Sequence, residues 1–317
     1  MNFKYALFFM VCLALVSCTL QSRPEDGGKS VPEQKTENTP VAAASVNTPA
    51  PTPTATPTST ASPTAAPTPT KVVPVQAREF EKLGDRAEAQ LAKTRDTARA
   101  IGLADRALDD YKKAIAIDSA DEKLVHKYVK IIEIKYNLLI PDNEMEEEKK
   151  KVYSETLSML ERLYPGQNNS IYADFDISLL LILNNINYNI VQAIVVANRI
   201  RDLCEKIYNE DRTFEDYSAL AALGRLNYLA PNIPFILGWP DKAKSKQYLE
   251  EALKAEPDSL LIKYFLAETL YALNEKERAE EYFREVVSAA PRDDYDYFQD
   301  KKTQLNCGIR MKELGLQ

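Results

Sequence analysis

Chemistry needs particular side chains at particular spacings, and this chain offers few of them. There is a single histidine, His126, among 317 residues. A multi-histidine metal centre is therefore excluded, and a Ser–His–Asp triad would have to use that one imidazole. His126 sits beside an apolar stripe, Val125, Val129, Ile132, Tyr136 and Leu139, and reads as a flanking or partly buried residue. Neither GxxxxGK[ST] nor GxGxxG occurs, so the common phosphate cradles are missing. Four cysteines are present without a CxxC pair. Cys204 and Cys307 fall in helical, partly apolar contexts, which suits either a disulfide or two separate buried thiols. Glu215, Asp216 and Glu268 could supply acid–base pairs, but nothing in the sequence brings them together. The expectation is a non-enzymatic protein without cofactor or metal.

Cys18 is the remaining reactive residue to weigh, and its setting is distinctive. Lys4 precedes an apolar run from Tyr5 to Val16, too short to span a bilayer and suited to the core of a signal peptide. The run ends Leu15-Val16-Ser17-Cys18, which resembles the bacterial lipobox. That resemblance implies cleavage before Cys18 and anchoring of the acylated cysteine in a lipid bilayer, with two or more chains giving stable attachment. Thr19 in place of Asp resembles sorting to the outer membrane facing the periplasm, rather than retention at the inner membrane.

Composition divides the rest of the chain. Of 18 prolines, 11 lie between Pro24 and Pro74, and glycine is scarce at 9 in the whole chain. Pro and Thr dominate Thr48 to Thr70, and such a segment buries too little apolar surface to offset its ordering entropy. Residues 1–17 are thus expected to be a signal peptide, 18–74 a lipidated disordered tether, and 75–317 one α-helical domain. A net charge of −7 with a sequence pI near 5.1 argues against nucleic acid as a partner.

The helical part carries a period. Leu266, Ala267, Ala279, Phe283 and Pro291 stand in one unit, and Ser245, Leu249, Ala252 and Pro257 occupy the matching slots one unit earlier. Pro257 and Pro291 are 34 residues apart, the length of a tetratricopeptide helix-turn-helix unit. Ala107, Tyr111, Ala114 and Ser119 repeat the second-helix pattern. The fold class predicted is all-α, a tetratricopeptide-like solenoid. In such a repeat, alternate positions of the first helix line the concave face. Those positions are Tyr264, Glu268 and Tyr271, with Arg225 and Tyr228 one unit earlier, an Arg–Glu–Tyr surface suited to protein capture. Between the helices of that earlier unit lies an apolar insert containing Pro231, Pro234, Phe235 and the only tryptophan, Trp239. It reads either as a loop folded back over the array, the preferred role, or as a lip for a ligand or partner.

KLGDRAEAQLA, ALDDYKKAIAIDS, IRDLCEKIY, ALGRLNYLAPNIPFILGWPDKAK and FLAETLY occur in that order. Their succession resembles the T-component lipoproteins associated with periplasmic TRAP transporters. Matching positions are Arg201, Asp202, Gly224, Arg225, Pro231, Pro234, Gly238 and Trp239. The resemblance implies a periplasmic protein partner, specifically a solute-binding protein. Assembly as a homo-oligomer also stays open. The alternative reading is a structural envelope lipoprotein that spaces layers and has no specific ligand.

Overall fold

The computed structural model describes residues 74–166, 169–184, 190–231, 233, 236–293 and 296–316. The expected signal peptide, Cys18, the tether up to residue 73 and Phe235 lie outside them. All described residues belong to one compact unit; a second unit, residues 22–72, falls outside the description.

Eleven helices follow one another among the described residues: α1 Val75–Leu91, α2 Thr97–Ile117, α3 Glu122–Glu133, α4 Glu146–Leu163, α5 Ile171–Leu183, α6 Ile190–Glu210, α7 Ser218–Leu229, α8 Lys242–Ala255, α9 Leu260–Ala272, α10 Lys276–Ser288 and α11 Tyr297–Glu313. No strand occurs among these residues, only an isolated bridge between Ile233 and Leu237. No described helix is long and apolar enough to cross a membrane. Several starts are set by short acceptors that satisfy the first free N–H groups. Asp96 accepts from Arg99 N at 2.6 Å, Asp121 from Lys123 N and Leu124 N at 3.1 Å, and Asp241 from Ala243 N at 2.7 Å. Ser259 does the same for α9, accepting from Ile262 N at 3.3 Å.

The helices pack as neighbours along the chain: α1 on α2, α7 on α8, α8 on α9, and α9 on α10. The small and aromatic residues of the repeat slots are the contact points. Ser245, Leu249, Ala252, Ala279 and Phe283 are all fully buried. Glycine appears where two helices touch. A methyl group on Gly84 would stand 2.5 Å from the Tyr111 ring, and one on Gly224 would stand 2.6 Å from Leu249 Cγ. Tyr111 is held over Gly84 by donating its hydroxyl to Asp85 at 2.9 Å and to Glu88.

One irregular helix and the state of one cysteine pair matter. The helix that carries the apolar stripe from Val125 to Leu139 is α-helical only to Glu133, and Ile134–Leu139 continue it as a π-helix. Its last turn is closed by Ile140 N donating to Lys135 O at 3.1 Å. The carbonyls at its end take ammonium donors instead of backbone. Lys149 reaches Ile140 O at 3.0 Å and Pro141 O at 2.6 Å, while Lys302 reaches Asn137 O at 2.7 Å. Cys204 and Cys307, weighed as a pair, are both free and buried, and burial pushes each thiol up to about 12.

The last helix does more than end the row. α11 packs on α9 and α10 and also reaches the π segment near the start of the array. Lys302 links it to Asn137 and, at 2.7 Å, to Asp142. Just before α11, Asp293 pairs with Arg95, whose guanidinium lies 4.6 Å from the Tyr297 ring centre. The row of helices is thereby closed on itself.

Gly224→Ala should lower stability by about 1–3 kcal/mol, the usual cost of overpacking a close helix contact. A methyl group on Gly102 in α2 would meet nothing within 4 Å, so Gly102→Ala should stabilise by about 0.5–1 kcal/mol. Urea unfolding of the two variants checks the opposite signs.

Candidate functional site

The residues expected to line an open concave face are brought together, but inside the protein. Arg225 on α7 and Glu268 on α9 are 1 % and 5 % exposed, and Arg225 Nη1 lies 2.6 Å from Glu268 Oε2. The second carboxylate oxygen takes Arg310 of α11, Nε to Oε1 at 3.0 Å. The Arg225 guanidinium also lies 4.4 Å from the Phe265 ring centre, 5.0 Å from Tyr228 and 5.8 Å from Tyr264. A charge this deep is tolerable only when it is paired, and one carboxylate lying against two arginines supplies the pairing. The open groove expected at these positions is therefore corrected: α11 lies against α9 and takes up the Glu268 carboxylate. Tyr264 is buried, while Tyr228 and Tyr271 are half-buried, Tyr271 with Lys276 Nζ 5.7 Å from its ring centre.

Described residues of the insert lie against the array. Ile233 and Leu237 exchange backbone hydrogen bonds at 3.1 and 2.8 Å, which buries Leu237 and leaves Ile236 exposed. Trp239 donates its indole N–H to Asn198 Oδ1 at 2.8 Å, and the Arg201 guanidinium sits 5.2 Å from its ring centre. The insert is thus pinned to α6, and Arg201 and Trp239 meet there.

The most concentrated charge lies elsewhere, around His126. Its Nδ1 is 2.7 Å from Asp176 Oδ1 and its Nε2 is 3.3 Å from Glu215 Oε1. Lys130 Nζ holds the other Glu215 oxygen at 2.6 Å. Tyr172, Phe175 and Phe214 ring the imidazole at 5.3–6.1 Å between centres. Burial alone would depress the imidazole, but the Asp176 and Glu215 carboxylates overcome it and raise His126 to about 9. Glu215 is held down to about 2 against its own burial by His126 and Lys130, whereas burial dominates at Asp176 and raises it. With both ring nitrogens facing carboxylates, this imidazolium has no lone pair to offer a substrate.

Glu215 makes these contacts from a strained position. Glu215, Asp216 and Tyr217 have φ of 45°, 55° and 63°, three successive non-glycine residues in the left-handed region. Each such residue costs roughly 1–2 kcal/mol, and the buried contacts of Glu215 offset that cost. Among the described residues, no group of three or more His, Cys, Asp or Glu is placed to hold a metal ion.

The sequence reading missed this cluster, although one signal was present. His126, Lys130, Glu133 and Asn137 step by four, three and four along one face of α3 and its π extension, and all four are buried. A polar stripe at core spacing beside an apolar stripe marks a helix that is covered on both sides.

The folded pKa of His126 lies above its ordinary value near 6.5, so its charge stabilises the fold fully below about pH 6.5, and that stability is lost as pH rises through 9. The amount at stake is about 3 kcal/mol. Urea midpoints measured from pH 6 to 10 should fall for the wild type, whereas His126→Gln should start lower and vary less over the same range.

A tetratricopeptide-repeat family model matches residues 240–305, from just before α8 into α11. Among solved structures, the chain is similar to TTC0263, a thermophilic TPR protein of Thermus thermophilus. Identity is 13%, covering 76% of this chain and 100% of that one, with a TM-score of 0.47. It is also similar to a MamA RS-1 ArsTM double mutant, at 13% identity over 67% of this chain and 93% of that one, with a TM-score of 0.41. No curated protein sequence matches. Within the helical array of the described residues, residues 240–305 are thus the part that matches a tetratricopeptide repeat.

Proposed function

We propose that this protein is a non-enzymatic, membrane-tethered scaffold that holds a protein partner outside the cytoplasm. The observation that carries the reading is the order of features along the chain. An apolar segment ending Leu15-Val16-Ser17-Cys18 is followed by a Pro/Thr-rich stretch and then by helical repeats. Acylation of Cys18 would fix one end in a bilayer, on this reading the outer membrane facing the periplasm. The stretch from residue 19 to residue 74 would give a reach of about 40 Å as a coil and more if proline keeps it extended. Tetratricopeptide repeats are surfaces for protein partners, and the repeat match supports a scaffold over a catalyst.

The finer form of the proposal is a T-component of a TRAP-type uptake system, working with a solute-binding protein. It rests on the resemblance carried by the IRDL and LGRLNYLAPNIPFILGWPDKAK segments. With Arg225 and Glu268 engaged internally, the partner is met by outward-facing side chains such as Ile236 at the tip of the insert, which is 62% exposed.

Metabolic labelling with a radioactive fatty acid and native pull-down from envelopes test the two halves together. The wild type should carry label, sediment with membranes and recover a solute-binding protein or transporter subunit. Cys18→Ser should lose label and membrane association. Label retained by Cys18→Ser overturns the anchor, and a labelled chain that recovers no partner favours the spacer role instead.

A further inference from the structure

A cavity of about 800 Å³ opens between the π segment and α11, lined from Asn137 to Asn143 on one side and by α11 residues from Tyr297 to Ile309 on the other. Part of its wall is apolar, with Leu138, Ile140 and Pro141 on one side and Tyr297, Leu305 and Ile309 on the other. Leu305 and Ile309 are one helical turn apart and 65% and 48% exposed, an unusual amount of open apolar surface on a helix whose other face is buried. The volume lies within the range of small-molecule sites.

The polar lining is not balanced. In a chain of net charge −7, Arg95, Lys301 and Lys302 line this cavity; Arg95 pairs with Asp293 and Lys302 with Asp142, and Lys301 is exposed. Lys302 is held in place by Asn137 and Asp142, and Lys301 is exposed at the adjoining position of α11. Burial lowers the pKa of Lys302, so an anion entering beside it would favour its charged form.

The wall is also built, not incidental. The π-helix Ile134–Leu139 is a rare conformation that recurs at functional sites. It is fastened from behind by Lys149 on the Ile140 and Pro141 carbonyls and from the side by Lys302 on Asn137. The backbone that shapes the cavity is thereby fixed before anything enters it.

We propose that this cavity binds an amphiphilic monocarboxylate, with the apolar chain between Leu138, Ile140, Leu305 and Ile309 and the carboxylate at Lys301. The assignment goes beyond the scaffold reading, since it needs neither the anchor nor a protein partner. The site uses α11, which lies outside the segments that carry the T-component resemblance.

Calorimetric titration of the full chain with dodecanoate, below its micelle concentration, tests the assignment. Dodecanol and dodecyltrimethylammonium separate the contributions of chain and charge. Saturable one-to-one binding of dodecanoate is expected, with both comparison compounds weaker by about tenfold or more. Leu305→Asp and Lys301→Glu change exposed side chains, so circular dichroism should show the fold kept, while dodecanoate affinity falls by about tenfold or more. Absence of saturable binding overturns the proposal. So does equal affinity for the cationic amphiphile, or undiminished affinity in both variants. Sedimentation with phosphatidylglycerol vesicles without monomer binding would also overturn it, making this face a membrane contact.

Discussion

Lys302 reaches across 165 residues of sequence to the Asn137 carbonyl, and that contact turns a row of helices into a closed body. Stacked helix pairs need only their nearest neighbours, so an array of this kind is ordinarily open along its inner face. Here α11 touches both the late repeats and the π segment near the beginning. The inner face is consequently furnished with charges that meet each other. Glu268 serves Arg225 and Arg310, Glu215 serves His126 and Lys130, and Lys302 serves Asn137 and Asp142. Buried ion pairs contribute little net stability, because desolvation cancels most of the attraction. Breaking one partner is costly, however, so these pairs specify a single arrangement of helices that apolar packing alone would leave looser.

Two irregular backbones depend on the same closure. The left-handed run at Glu215, Asp216 and Tyr217 persists where Glu215 engages His126 and Lys130. The π segment persists where Lys149 and Lys302 take up its terminal carbonyls. At the π segment ammonium groups occupy backbone carbonyls that regular structure would have satisfied, whereas at the left-handed run the cations meet the Glu215 carboxylate. The outcome differs: the first site has Tyr172, Phe175 and Phe214 around its imidazole, and the second is left with a cavity at its side.

Local pattern made much of this legible in the sequence. The repeat slots announced helix pairs, and residues such as Ala252, Ala279 and Phe283 are buried as those slots require. The apolar stripe of α3 and its π extension, from Val125 to Leu139, is likewise buried. Trp239 packs back onto α6 because its ring and indole N–H both find partners there. Repeat register identifies which positions face inward, but it does not say what fills the interior. Arg225 and Glu268 therefore read as a groove surface, although Arg310, 42 positions beyond Glu268, meets them inside. His126 looked peripheral because Asp176 and Glu215, 50 and 89 positions away, carry no local mark of their meeting with it. The switch from α- to π-helix at Ile134 follows from how the chain is tied at Asn137 and Ile140, which no periodicity encodes.

The cavity beside α11 depends on α11 staying docked. Backbone amide exchange in the wild type and in Lys302→Met measures that docking directly, since methionine keeps the apolar packing and removes only the tie. Exchange should quicken together in α11 and in Ile134–Leu139, far apart in sequence but joined through one ammonium group. Faster exchange confined to α11, with the π segment as protected as before, would contradict the closure.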